Sequence, residues 1–314
     1  MGRSHARSAR TSPTAERNDG ANEGTALHYT VGTEFASGSG AGERMSAVNG
    51  HRVGLSVPRR FVCDLLHASR HAPIITFERR MDLAGVAAAR KAAARPPAWV
   101  LLFAKAFAAV AARRPELRRA YLPTPWPHLW EADESVASVA VEREYRGEPG
   151  VFFGFLNAPD KHPLAELAAV LDEWKAGPVD EVVPFRRQIK FTRLPRPARR
   201  LLWWYATAWS GKIKARNFGT FGVSLTGASG ATALNLIGPL TAALNTGVVR
   251  DDGTVDVRLH FDHRVMDGMP AARALAEMEE YLRTEIVAEL TAAAGPGTAG
   301  APRGVPRPPD AVVR

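Results

Sequence analysis

The stretch LHFDHRVMDGMPAARALAEMEEYL, residues 259–282, decides the fold of this chain. It closes the run TVDVRLHF, in which Val255, Val257, Leu259 and Phe261 alternate on one face with the period of a half-buried strand. The strand is expected to end at Asp262 and His263. Gly268 then offers backbone freedom to turn, and Pro270 stands where the first turn of a helix accepts it. His263 is thus expected at a strand end facing a cleft, with Asp267 four residues on and close enough to steady the turn. A neutral imidazole held in such a pose takes a proton from a thiol or a hydroxyl. The bland reading of the same residues is a surface histidine in a turn, with Asp267 capping the helix.

Outward from this stretch, strands and helices interleave. RRFVCDLLHAS (59–69) reads as a helix stopped before Pro73, and IITFERRMDL (74–83) as the strand after it. LAGVAAARKAAA and the strongly apolar AWVLLFAKAFAAVAARRPEL read as helices, the second buried and ending near Pro115. Strands are expected at 136–145, 150–156 and 218–225, a helix at 162–177 with Gly177 as its stop, and a hairpin over 244–263 turning at Asp252-Gly253. This order predicts an α+β or α/β layer architecture. Residues 1–48 and 294–314 read as unstructured tails around a catalytic domain over 49–293, and Met45 offers an alternative start.

Composition narrows the function classes. No run approaches 18 apolar residues, so no transmembrane helix is expected, and the N-terminus lacks the apolar centre of a secretory signal. Cys63 is the sole cysteine, which excludes a disulfide framework and a cysteine metal cluster, and a cytoplasmic home is expected. There is no GxxxxGK[ST] and no HExxH. Cys63 falls on the expected buried side of the first helix, and His67 and His71 read as surface or capping residues. The formal charge of +9 is local: residues 186–216 hold ten Lys and Arg and no acid, leaving 31 basic against 32 acidic residues elsewhere. Nucleic-acid binding is not expected from one such segment without a binding motif.

The motif LHFDHRVMDG resembles the signature of the dihydrolipoyl acyltransferases, the catalytic core subunits of the 2-oxoacid dehydrogenase complexes. More distantly it resembles chloramphenicol acetyltransferase, where an HxxxDG carries the base. FGTFGVSLTG (218–227) is similar to the first family's Gly-Thr-Phe-Thr-Ile-Ser segment. VPRRFVCDLLHAS with APIITFERRMDL is similar to its first helix and entry strand, and RPELRRAYL (114–122) to the end of its first long helix. These segments fall in the family's order over roughly residues 56–290.

The resemblance implies a two-layer fold of sheet and helices, assembled as a homotrimer with each active site between subunits. It implies acyl transfer between acyl-CoA and a thiol or hydroxyl acceptor, with coenzyme A entering as substrate and no covalent acyl-enzyme. His263 would be the general base. Ser224 would donate a hydrogen bond to the tetrahedral oxyanion, a contribution typically worth ~3 kcal/mol. Asp267, with Gly268, would hold His263 in pose through a charge pair with Arg59, Arg60 being the alternative. The roles of Asp262 and Arg264 stay open.

Two departures stand out. No lipoyl domain and no Asp-Lys-Ala lipoylation turn precede the core, so no covalently bound lipoyl group is expected on this chain. The acceptor is therefore open, and a subunit served by a lipoyl domain in trans, or a catalytically idle trimeric scaffold, are the alternatives. The second departure is the segment 186–216, in which Trp203, Trp204, Tyr205 and Trp209 stand among Arg199, Arg200 and Lys212. Core packing, an anionic membrane surface, CoA phosphates and an acidic protein partner are all compatible with it.

Overall fold

The computed structural model describes residues 54–225, 233–234 and 236–294. They lie in one compact unit, Val53–Arg314. The tail 1–48, Met45 and all but the first residue of the tail 294–314 fall outside the described residues.

The chain runs α1 (Val57–Ser69), β1 (Ile74–Asp82), α2 (Ala84–Ala92), α3 (Trp99–Arg113), β2 (Arg119–Leu122), β3 (His128–Glu131), β4 (Val136–Tyr145) and β5 (Glu148–Asn157). Four helices follow: α4 (Leu164–Ala176), α5 (Val183–Arg193), α6 (Arg196–Trp204) and α7 (Gly211–Phe218), with a π turn, Tyr205–Trp209, joining α6 to α7. The rest is β6 (Phe221–Leu225), β7 (Ala242–Thr246), β8 (Thr254–Asp262), α8 (Gly268–Tyr281), a second π turn (Leu282–Ile286) and α9 (Val287–Ala294). Six strands form one sheet in the order β1-β8-β7-β6-β4-β5, and β2 pairs with β3 in a separate hairpin. β6 is parallel to β4 and to β7; the other pairs are antiparallel. The α+β class expected from the sequence is the one observed.

The first face of the sheet is a closed core. Met81, Val139, Phe152, Phe221, Leu244 and Phe261 point into it from six strands. α3 lies against them and is buried on nearly all sides, which is why its sequence is apolar nearly all round, its buried Lys105 being paired with Glu289. Phe107 of α3 meets Phe221 with ring centroids 4.6 Å apart. On the second face Phe61 of α1 meets Phe153, and Trp203 of α6 packs on Phe61; α4 and α5 instead reach the first-face side of β5, Trp174 against Gly154 and Phe185 against Phe152. Gln188 of α5 bonds the edge strand β5 with its side-chain amide, donating to the Val151 carbonyl and accepting from the Phe153 N–H. That pairing satisfies backbone groups an edge would otherwise expose.

α1 departs from the sequence reading in one respect. Its buried face is Pro58, Phe61 and Asp64, while Cys63 is exposed. Asp64 is buried because Arg199 of α6 bonds it at 2.6 Å and also donates to the Thr192 and Leu194 carbonyls. Gly177 stops α4, yet its φ is −66°, so no left-handed conformation is involved. A Cβ there would lie 2.8 Å from the Glu173 carbonyl oxygen, and that close approach is what asks for glycine.

Candidate active site

The turn after β8 is held by its own charged residues. Asp262 is buried, and Arg264 grips it through Nε at 2.9 Å and Nη2 at 2.6 Å while its backbone N–H donates to the same carboxylate. The guanidinium carbon then stacks 4.2 Å from the centroid of the Tyr121 ring on β2. His263 sits between these two residues, and its backbone N–H donates to the Pro73 carbonyl at the entry to β1. The Asp262–Arg264 pair is thus a clamp on the backbone that projects His263. The unpredicted hairpin of β2 and β3 supplies its outer wall.

The His263 side chain is 45% exposed, and Nδ1 lies 3.0 Å from the Met266 carbonyl. A carbonyl only accepts, so Nδ1 carries the proton and Nε2 presents its lone pair. Asp267 is the N-cap of α8 but its side chain makes no capping bond. It stands 3.7 Å from His263 Nδ1 and is 88% exposed, beyond hydrogen-bond reach. Within one copy the pose of His263 is therefore set by Met266, not by Asp267. Arg59 is exposed on α1 and forms no ion pair with Asp267, and neither does Arg60. Gly268 also serves a different purpose from the one expected. A Cβ at this position would lie 2.5 Å from the Phe77 ring, so glycine lets α8 start against β1.

Ser224 lies on β6, whose entry explains the Gly-Thr-Phe run. Gly219 has φ +88°, and a Cβ there would lie 2.8 Å from the Val136 carbonyl oxygen. Thr220 clasps Val136 twice, its N–H donating to the carbonyl and its hydroxyl accepting from the Val136 N–H. Phe221 then inserts into the core. This fixes the parallel register of β6, and Ser224 points to the second face of the sheet. Strand register sets Ser224 beside Asn245 and Asn245 beside Arg258. His263 is two strands over and five residues further on, so roughly 15–20 Å separate it from Ser224. One copy does not bring the two together.

The basic segment divides into inside and outside. Arg199 is spent on Asp64, and Trp203 is buried, stacked on Phe218 at 4.6 Å and packed on Phe61 and Phe191. Leu201, Trp204, Tyr205 and Trp209 stay exposed. Two residues of the site region escaped the sequence reading. Lys214 on α7 is buried near Asp262 and Arg264, and burial pulls its pKa down to about 8, with Asp262 opposing and Arg264 adding to the shift. His260 on β8 is 2% exposed, with Nδ1 2.8 Å from Thr76 Oγ1. Burial and then Arg258 lower its pKa, keeping the ring neutral. Among the described residues no cluster of His, Cys, Asp and Glu could hold a metal ion, and no helix is long and apolar enough to cross a membrane.

No family model and no curated protein matches this chain. Solved structures do. A probable dihydrolipoamide acetyltransferase from Listeria monocytogenes is 18% identical with a TM-score of 0.53, over 74% of this chain and 94% of that one. The dihydrolipoamide acetyltransferase of Azotobacter vinelandii is 21% identical at TM-score 0.52, over 77% and 94%. A truncated catalytic core of the 2-oxoacid dehydrogenase multienzyme complex from Thermoplasma acidophilum is 17% identical at TM-score 0.54, over 75% and 99%. The chain has the fold of these catalytic cores.

Proposed function

We propose that this chain is an acyltransferase moving an acyl group directly between coenzyme A and a thiol or hydroxyl acceptor, in a homotrimer whose sites lie between copies. The observation that carries the reading is the 3.0 Å contact between His263 Nδ1 and the Met266 carbonyl. With Nδ1–H committed to the Met266 carbonyl, Nε2 is the basic nitrogen, half-exposed at a strand end and held by a clamped turn.

In the reaction, Nε2 takes the proton of the acceptor S–H or O–H as that atom attacks the thioester carbonyl carbon. The tetrahedral oxyanion takes a hydrogen bond from the hydroxyl of Ser224 of a neighbouring copy. The C–S bond to coenzyme A then breaks, and the proton on Nε2 passes to the leaving thiolate, so no proton is gained or lost. The Azotobacter protein was studied for the roles of a serine, a histidine and an asparagine in its catalysis, the last two four positions apart. Ser224, His263 and Asp267 are the residues of this chain we match to them, with a carboxylate in place of the amide. Assembly follows the same logic: the Thermoplasma structure is the core of a multienzyme complex, and the separation of Ser224 from His263 within one copy calls for a second copy.

The test is release of free CoA from acyl-CoAs of short to long chain, offered thiol, alcohol and dihydrolipoamide acceptors, for wild type and His263→Ala. A release that falls by a factor of about 100 or more in the variant supports the reading. Equal rates for both proteins across the whole panel contradict it. Turnover confined to dihydrolipoamide would place the acceptor on a lipoyl domain of another chain.

A further inference from the structure

The second face of the sheet covers a cavity of about 1160 Å³ between the strands and helices α4–α7, and Ser224 lines it. Its floor follows from register. Phe155, Ser138, Gly222, Ala243 and His260 stand side by side on five neighbouring strands. Three small residues in the middle of one row leave a trough across the sheet, closed by Phe155 at one end and His260 at the other. Four interstrand gaps make it roughly 19 Å long. Phe191, Trp203 and Ile237 line the pocket opposite the strands, and Arg186, Arg187 and Glu166 also belong to its lining. All of these residues belong to this chain.

The space is a mostly apolar cleft that opens to solvent past Arg186, Arg187 and Glu173, large enough to take a ligand. It exceeds the roughly 300–1,000 Å³ of ordinary small-molecule sites. Ser224 and His260 are the polar residues at one end of its floor. His260 Nε2 is buried and has no hydrogen-bond partner, although Nδ1 of the same ring is committed to Thr76. The indole Nε1 of Trp203 is likewise buried without a partner.

We infer that this cavity binds a long, unbranched acyl chain, with its polar end on the Ser224 and His260 side and its methyl end at Phe153 and Phe155. The fit of length supports the inference: the hydrocarbon core of a bilayer is ~30 Å thick, so one lipid chain reaches about 15 Å, within the trough. The inference names the acyl group of the reaction proposed above and rests on that reading for the role of Ser224. The binding itself does not need turnover.

The test is calorimetric titration of the full chain with straight-chain fatty acids of eight, twelve and sixteen carbons below their micellar concentrations, and with the matching acyl-CoAs. Each added methylene should tighten binding about fourfold, the fold-change given by ~0.8 kcal/mol per buried CH₂. Ala243→Phe, which fills the trough, should abolish that dependence beyond the shortest chain, and Ala140→Phe does the same from the adjacent row if the first variant fails to fold. Fatty acids alone showing the dependence would assign the cavity to a free lipid, and both series showing it would assign it to the acyl donor. Affinity independent of chain length in both series, or unchanged in both filled variants, overturns the inference. A chain-length dependence in a protein that never releases CoA would keep the pocket and remove the proposed reaction. CoA release without a chain-length dependence would do the reverse.

Discussion

On one face of the sheet Phe221 meets Phe107 with ring centroids 4.6 Å apart; on the other, Phe153 and Phe155 line a pocket of about 1160 Å³. Both faces are aromatic and both are roofed by helices of the same chain. They differ in what the roof is made of. α3 packs apolar side chains directly on the strands around one buried cation, Lys105, paired with Glu289, whereas the helices of the other side are anchored through further polar fixtures. These are the Gln188 amide on the edge of β5 and the buried Arg199–Asp64 pair between α6 and α1. A buried ion pair adds little net stability compared with apolar packing, but it fixes geometry once both partners are present.

The largest effect that can break this comparison is on stability. Phe221→Ala should cost about 3–5 kcal/mol, because it leaves a cavity in a closed core. Phe155→Ala should cost about 1 kcal/mol, since its side chain already faces empty volume. Equal losses in chemical denaturation would mean that the two faces are packed alike.

Lys214, where the second face meets the clamped turn, gives the next effect. Its pKa in the fold is about 8 against 10.5 ordinarily, so the unfolded chain binds more protons and stability rises with pH between those values. Lys214→Met removes the penalty for burying the charge. The variant should exceed wild type in stability by about 3 kcal/mol below pH 8. That gap should close as the pH approaches 10.5. A gap that stays constant between pH 7.5 and 10 would remove the charge from the account.

The smallest effect sharpens the site. Asp267 is 88% exposed and does not reach His263, so Asp267→Asn should change the melting temperature by no more than about 1 °C. A larger loss confined to the assembled protein would show that a second copy buries this carboxylate and gives it the partner that Arg59 does not supply within one copy.

Much of this was legible in the sequence because it is local. The alternation of Val255 to Phe261 gives β8, the turn at Asp252-Gly253 gives the hairpin, and the strongly apolar 99–112, interrupted only by Lys105, gives the buried α3. What was not legible depends on residues far apart in the chain. Cys63 was expected inside, but Asp64 is there instead, because its partner is Arg199, 135 residues on. Gly268 was read as giving the backbone freedom to turn, and its reason is the ring of Phe77 across the strand pair. The trough is invisible in any one segment, since Ser138, Gly222 and Ala243 become neighbours only through strand register. His263 was found from its motif. The group that holds its ring, the Met266 carbonyl, carries no signature because any residue has one.

The central claim is that Ser224 of one copy and His263 of another act on the same carbonyl. It is tested most directly by co-expressing Ser224→Ala and His263→Ala chains and measuring acyl transfer by the mixed oligomers. If each site draws its serine and its histidine from different copies, random mixing in a trimer restores roughly one intact site in four, and activity rises well above either variant alone. If the mixture shows only the average of the two parent variants, the site is not shared between copies and the account is contradicted.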